Sequence, residues 1–392
     1  MKPSSKLIIW GNYFGFVVMG MIVVSFGSTM PYIREELSLS FEKGGMILAF
    51  FSGSYLLNGM FSGWLVDQVG KKAVLVTGNG LYVLGLSLLF FASQVWMIYI
   101  SVIILGIGWG FCNTTINILV NDSSHGDAKA MSLLHMSFGV GAFFVPLLFN
   151  ILLKMGFAWK ELMMLLAVLA SVSLILSLGM KIEFIKEDKK KDSKKSFQNP
   201  NQLVLYMAVL FFYVGSESAF SGWIVSYLIT GVEMEQSFAQ NMLSALWLTI
   251  IIGRYVIGLM GTRINKAKFV MTASGTAFLS MLLFISTSNQ LLILLSVIGI
   301  GLSFAGIYPL TMAHANPIIR GSGLATALVI SGGGLGSTIV PYISGRIADR
   351  YGTVSIIATI LVTLICMFLF SLINERKNAQ SINCGNYANF NS

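Results

Sequence analysis

The chain has 392 residues, 55% of them hydrophobic and only 10% charged, with a net charge of +9 and a mean hydropathy of +0.79. A soluble domain carries about 25% charged residues, so an ordinary water-soluble globule is excluded and a polytopic, all-α membrane protein is implied. In such a chain the positive charge reports topology, and no nucleic-acid partner is expected.

Apolar runs long enough to cross a bilayer fall near residues 7–33, 43–66, 73–93, 95–120, 129–153 and 159–181, then 203–231, 238–261, 268–288, 290–315, 321–347 and 353–374. The first run follows Lys2 and Lys6 as a signal peptide would. It is long, lacks an A-x-A cleavage site and precedes many further spans, so it reads as a retained first helix. Residues 182–202 hold the one long polar segment inside the chain, a dense charge run that cannot bury itself and reads as a cytoplasmic linker. It separates an N-terminal half, 1–181, from a C-terminal half, 203–374. The Asn-rich remainder, 375–392, is expected to be a disordered cytoplasmic tail. Cys112, Cys366 and Cys384 have neither metal-ligand spacing nor an obvious disulfide partner.

With the N-terminus inside, the inner loops hold 18 Lys and Arg residues and the outer loops 6, with Arg254 alone within a span. That bias predicts a multi-pass cell-membrane protein with both termini cytoplasmic. The halves also match at an offset of 195: Gly20, Gly27 and Tyr32 against Gly215, Gly222 and Tyr227, and Gly139, Gly141, Val145 and Pro146 against Gly334, Gly336, Val340 and Pro341. Two parallel six-helix repeats place a solute site near the bilayer midplane between them.

The seventh span carries Glu217 near its middle, among Gly215, Ser216, Ser218, Ser221, Gly222, Trp223 and Tyr227. A carboxylate at that depth costs about 2.5–3.5 kcal/mol on insertion scales, so it faces protein or water rather than lipid. After the second span the chain reads Gly63-Trp-Leu-Val-Asp67-Gln-Val-Gly70-Lys71-Lys72. This resembles the G-x-L-x-D-R-x-G-[RK]-[RK] signature of the major facilitator superfamily, with Gln68 in place of the usual Arg. The resemblance covers the twelve spans and the repeat. It implies the superfamily's fold, 12 transmembrane helices in two parallel six-helix repeats, and a cytoplasmic gate at Gly63, Asp67, Gly70, Lys71 and Lys72. Asp67, at a helix end, is suited to accept hydrogen bonds from the N-terminus of a neighbouring helix.

Shorter motifs resemble the fucose–proton symporter branch: Gly108 to Asn117 in the fourth span, Leu133-Leu-His135-Met-Ser-Phe138-Gly139 in the fifth, Tyr213-Val-Gly215-Ser-Glu217, Trp247 with Gly253-Arg254, and Gly306-Ile-Tyr308-Pro309. Where that branch often has an acid in the fourth span, this chain has Asn113, and its first span has no acid. Coupling therefore falls to Glu217. A poorly hydrated site disfavours its charged form, as a proton carrier requires; an ionised Glu217 with nearby hydroxyls would equally suit Na+.

Asn113 and Asn117 share a helix face, and their amides suit sugar hydroxyls or interhelical hydrogen bonds. His135 is either a packing histidine or, as the resemblance implies, a solute contact. Trp223 and Trp247 offer rings to a sugar's apolar face, or serve core and interface packing. Tyr308 joins the candidate substrate contacts on its motif. Arg254 either pairs with Glu217 or caps carbonyls at the inner gate, the role given to it here. The run 331–337 lacks the Lys-Ser/Thr ending of a phosphate loop and reads as helix packing; 349–352 echoes the gate signature but falls on the outer side.

These residues predict a secondary importer of a monosaccharide or similar polar solute, coupled to H+ or Na+ and acting as a monomer, with no cofactor and no ATP. The alternative on the same scaffold is an efflux antiporter, disfavoured because the fifth-span glycines precede Pro146. A transporter-like sensor or flippase is a third class. An enzyme is not expected, since no nucleophile–base pair or nucleotide loop is present.

Overall fold

The structure, a computed structural model, describes residues 3–182, 200–260, 264–319 and 322–390. Most of the linker, and Arg263 and Arg320 of the inner-loop charge count, lie outside the described residues. The elements are helices in the order α1 (Pro3–Glu36), α2 (Phe41–Val69), α3 (Lys71–Phe90), α4 (Val95–Ser123), α5 (Ala128–Lys154), α6 (Trp159–Gly179), α7 (Pro200–Thr230), α8 (Gln236–Met260), α9 (Lys266–Ile285), α10 (Gln290–Ile319), α11 (Gly323–Tyr351) and α12 (Val354–Phe390). Among the described residues eleven helices are long and apolar enough to cross a membrane, twelve when the bent α2 counts as one span. Several run past the predicted spans at both ends, because the helical ladder continues beyond the roughly 20 residues that hydrocarbon requires. Residues 378–390, expected to be disordered, continue α12; no Pro interrupts the backbone ladder there.

Helix α2 bends by 50° between Gly59 and Phe61. The Ser62 hydroxyl donates to the Asn58 carbonyl at 2.6 Å, a back-bond that competes with the ladder and bends helices. Side chains close several helix starts: Ser40 accepts from Lys43 N (3.3 Å), Asp127 from Lys129 N (2.9 Å) and Asn265 from Lys268 N (3.1 Å), satisfying donors that a helix start leaves unpaired.

The chain forms two compact units. The first comprises Met1–Lys190, Ser221–Leu248 and Pro341–Ile356, the second Lys191–Phe220, Thr249–Val340 and Ile357–Ser392. In the first, α1 packs along α5 and α6, α2 along α4, and α3 along α4 and α6; in the second, α9 packs along α10. The repeat has a physical counterpart in each. A Cβ at Gly141 of α5 would collide with the Val17 carbonyl of α1, and a Cβ at Gly336 of α11 would collide with the Phe211 carbonyl of α7. Backbones approach this closely only where one side lacks a Cβ, the small-residue packing that substitutes for hydrophobic drive between helices in lipid.

Candidate functional site

In the second unit the acid sits in a small polar group. Glu217 Oε1 accepts the Tyr213 hydroxyl at 2.8 Å, from one turn earlier on the same face of α7. The Arg254 guanidinium of α8 stands with Nη2 3.9 Å from the same oxygen, an ion pair too long for a hydrogen bond. Tyr308 of α10 lies with its ring centroid 6.5 Å from that of Tyr213, and Phe304 packs edge-on against Tyr213 at 5.6 Å. The Glu217 side chain is 15% exposed and that of Arg254 32%, while Arg254 Nε is buried without a hydrogen-bond partner among the described residues. Glu217 is thus oriented by one strong donor and faces a countercharge that does not clasp it. A carboxylate has acceptor capacity for several donors, so a proton, a cation or a solute hydroxyl can compete with Arg254 for it. The structure therefore places Arg254, assigned to the gate from sequence, beside Glu217: both long side chains reach.

In the first unit Asn113 Nδ2 of α4 donates to the Tyr55 hydroxyl of α2 at 3.3 Å, and Asn117 Nδ2 donates to the Asn113 carbonyl at 2.7 Å. The Tyr55 ring stacks on Trp109, centroids 3.9 Å apart and planes 18° apart, and Phe51 stacks on the same indole at 5.1 Å. Half-buried amides thus lie beside an aromatic stack, which sets hydrogen-bonding groups next to apolar ring surface. His135 of α5 is exposed, edge-on to Phe16 at 5.9 Å. Trp247 of α8 donates Nε1–H to Ser221 Oγ at 3.2 Å and packs against Phe138 at 5.7 Å. Trp223 does not join these residues. It is fully buried, donates to the Pro341 carbonyl at 3.1 Å and packs against Phe41, so its ring serves packing.

At the junction of α2 and α3, Gly70 takes φ 90° and ψ 154°, a region reserved for glycine. Lys71 Nζ pairs with Asp122 Oδ2 at 2.7 Å at the end of α4, and Lys72 Nζ donates to the Leu178 carbonyl of α6 at 2.8 Å. Asp67 is exposed on the last turn of α2, and Gly63 has open space around it. Sequence reasoning left Tyr55, Trp109 and Tyr213 out of the candidate site. The i, i+4 spacing of Tyr213 and Glu217 was a usable signal for the last; nothing local marks the α2–α4 stack.

The sequence profile of the Major Facilitator Superfamily matches residues 13–325 and 206–383. The chain belongs to the major facilitator superfamily. As a superfamily member it is a membrane transporter and not an enzyme. It is 25% identical over 351 residues to the glucose/mannose transporter GlcP of Bacillus subtilis, covering 85% of this chain and 86% of that protein. It is 24% identical over 379 residues to sodium-dependent glucose transporter 1A of Mus musculus, covering 86% and 89%. A TsgA homolog of Yersinia enterocolitica is 22% identical over 381 residues, covering 95% and 96%. The superfamily fold is shared with a mutant of the nucleoside transporter NupG (TM-score 0.79, 13% identity, 95% and 99% covered) and with a mutant of the peptide transporter POT in complex with sulfate (TM-score 0.78, 14% identity, 95% and 94% covered).

Proposed function

We propose that this superfamily transporter imports a monosaccharide or a related small polar solute across the cell membrane, driven by H+ or Na+. Alternating access of two six-helix halves, 1–181 and 203–374, carries the solute, and both termini lie in the cytoplasm. Glu217 is the coupling group. The observation that carries this reading is the Glu217 carboxylate held by Tyr213 at 2.8 Å with Arg254 waiting at 3.9 Å. Loading a proton or cation there changes the pairing of a charge that is costly to leave uncompensated in lipid.

The solute class is supported by the relatives named for glucose and mannose transport and for sodium-dependent glucose transport. It is also supported by the amide and aromatic surface of Asn113, Asn117, Tyr55 and Trp109. His135, Trp247 and Tyr308 are the further solute contacts in this reading. Gly63, Asp67, Gly70, Lys71 and Lys72 form the cytoplasmic gate, and the protein works as a monomer.

The test is uptake of labelled monosaccharides into proteoliposomes under an imposed pH or Na+ gradient, with wild type and Glu217→Gln side by side. Accumulation in wild type and loss of accumulation with retained exchange in Glu217→Gln is the expected pair of results. Absence of both accumulation and exchange for every sugar would remove the importer reading. Solute release driven by an inward gradient would replace it with efflux.

A further inference from the structure

The end of α11 reads Asp349-Arg350-Tyr351-Gly352, and the end of α2 reads Asp67-Gln68-Val69-Gly70. The two helices stop in the same way. Gly70 has φ 90° and its N–H bonds to the Val66 carbonyl at 2.9 Å; Gly352 has φ 81° and its N–H bonds to the Ala348 carbonyl at 2.9 Å. Each therefore carries a carboxylate on its last turn, three residues before a left-handed glycine. For Asp349 the structure shows what that carboxylate does. Its Oδ1 accepts Phe41 N at 2.7 Å and its Oδ2 accepts Glu42 N at 2.9 Å. These are the first two N–H groups of α2, and the third, Lys43 N, is held by Ser40. The start of α2 is thus capped by a residue 308 positions away, with a negative charge on the positive end of the helix dipole.

The contact is reciprocal. Glu42 Oε1 accepts the Tyr342 hydroxyl of α11 at 2.9 Å and stands 3.8 Å from Arg346 Nε. The backbones are close as well: a Cβ on Gly45 would stand 3.0 Å from Tyr342 Cα. Gln240 of α8 donates to the Ser28 carbonyl of α1 at 2.9 Å at the same end. All these residues belong to the first compact unit.

We propose that Asp349 is a releasable latch. It caps α2 from the end of α11, keeps the α1–α2 end of the bundle shut, and must let go of two charge-assisted hydrogen bonds whenever that end opens. In the orientation proposed above this is the external face, so Asp349 there takes the part that Asp67 is suited to play at the opposite end of α2. The inference rests on alternating access but not on which solute or ion is carried.

The test uses the full-length protein in lipid nanodiscs with nitroxides on Ser38→Cys and Tyr351→Cys, and with Cys366 and Cys384 replaced by Ala. Dipolar broadening of the continuous-wave spectrum reports the latched fraction without any solute, so its outcome is independent of the uptake assay. Asp349→Ala is expected to lower the ratio of broadened to unbroadened signal about tenfold, as loss of a charge-assisted pair biases a two-state equilibrium. Asp349→Asn, which retains one acceptor oxygen, falls between, and Arg350→Ala leaves the ratio unchanged. A parental ratio in Asp349→Ala overturns the proposal. Should that variant not fold, a parental ratio in Asp349→Asn does so instead.

Discussion

The Tyr213 hydroxyl donates to Glu217 Oε1 across 2.8 Å, one turn apart on α7. The acid proposed as the coupling group is therefore oriented by its own helix, while its second neighbour, Arg254, stands 3.9 Å away. Removing the hydroxyl leaves a carboxylate oxygen short of a partner, worth about 1–3 kcal/mol. Tyr213→Phe is expected to reduce gradient-driven uptake roughly five- to tenfold, the effect of about 1–1.4 kcal/mol at the low end of that range. Solute exchange at equal concentrations should change less, and comparing the two assays on one preparation checks it.

Arg254 and Glu217 should behave as a coupled pair. Arg254→Gln strands the carboxylate, whereas Arg254→Gln combined with Glu217→Gln removes both charges, so the double variant should unfold at a higher temperature than Arg254→Gln alone. A coupling of about 0.5–2 kcal/mol is expected for groups in contact, toward the low end because the Arg254 side chain is 32% exposed and the separation is 3.9 Å. Denaturation of the four proteins in one detergent measures it.

Glycines at the helix contacts should tolerate nothing larger. Gly141→Ala and Gly336→Ala each force a Cβ into a facing backbone carbonyl, and such overpacking costs about 1–3 kcal/mol or more. Both should lose most of the monodisperse protein in size-exclusion chromatography. Gly63→Ala, where nothing lies within 4 Å of the new Cβ, should not.

Gly70→Ala tests backbone strain alone. At φ 90° and ψ 154° the new residue sits where only glycine is comfortable, at about 1–3 kcal/mol. A lowered melting temperature with Lys71 and Lys72 unaltered is the expected result. Losing the exposed Lys71–Asp122 pair through Asp122→Asn should cost less than about 1 kcal/mol.

Asn113→Ala is expected to raise the half-saturating solute concentration about tenfold, with maximal rate within a factor of two or three, since one solute hydrogen bond is worth about 1–1.5 kcal/mol. Concentration-dependent uptake separates the two. Phe51→Leu, which stays apolar behind the indole, should leave both values near wild type.

Much of the architecture was legible in the sequence because it depends on local quantities. Run length and the scarcity of charge determine that these segments are membrane helices, since unpaired backbone polar groups cannot stand in lipid. The offset of 195 marked Gly141 and Gly336 as partners, and each does carry a helix contact. The isolation of Glu217 in an apolar run marked it as the residue to explain.

What only the tertiary structure decided is which side chains meet. Trp223 and Trp247 look alike in sequence, yet one is sealed beneath Phe41 and Pro341 while the other bonds to Ser221 and touches Phe138. Tyr55 enters beside Asn113 from another helix, and Arg254 meets Glu217 because α7 and α8 bring two long side chains into reach. Asp349 offered only an echo of a motif, and its capping of α2 spans 308 residues. A hydrophobic pattern specifies a helix through neighbours three and four positions away, whereas a hydrogen bond between helices depends on their rotation and depth, which the packing of the whole chain sets.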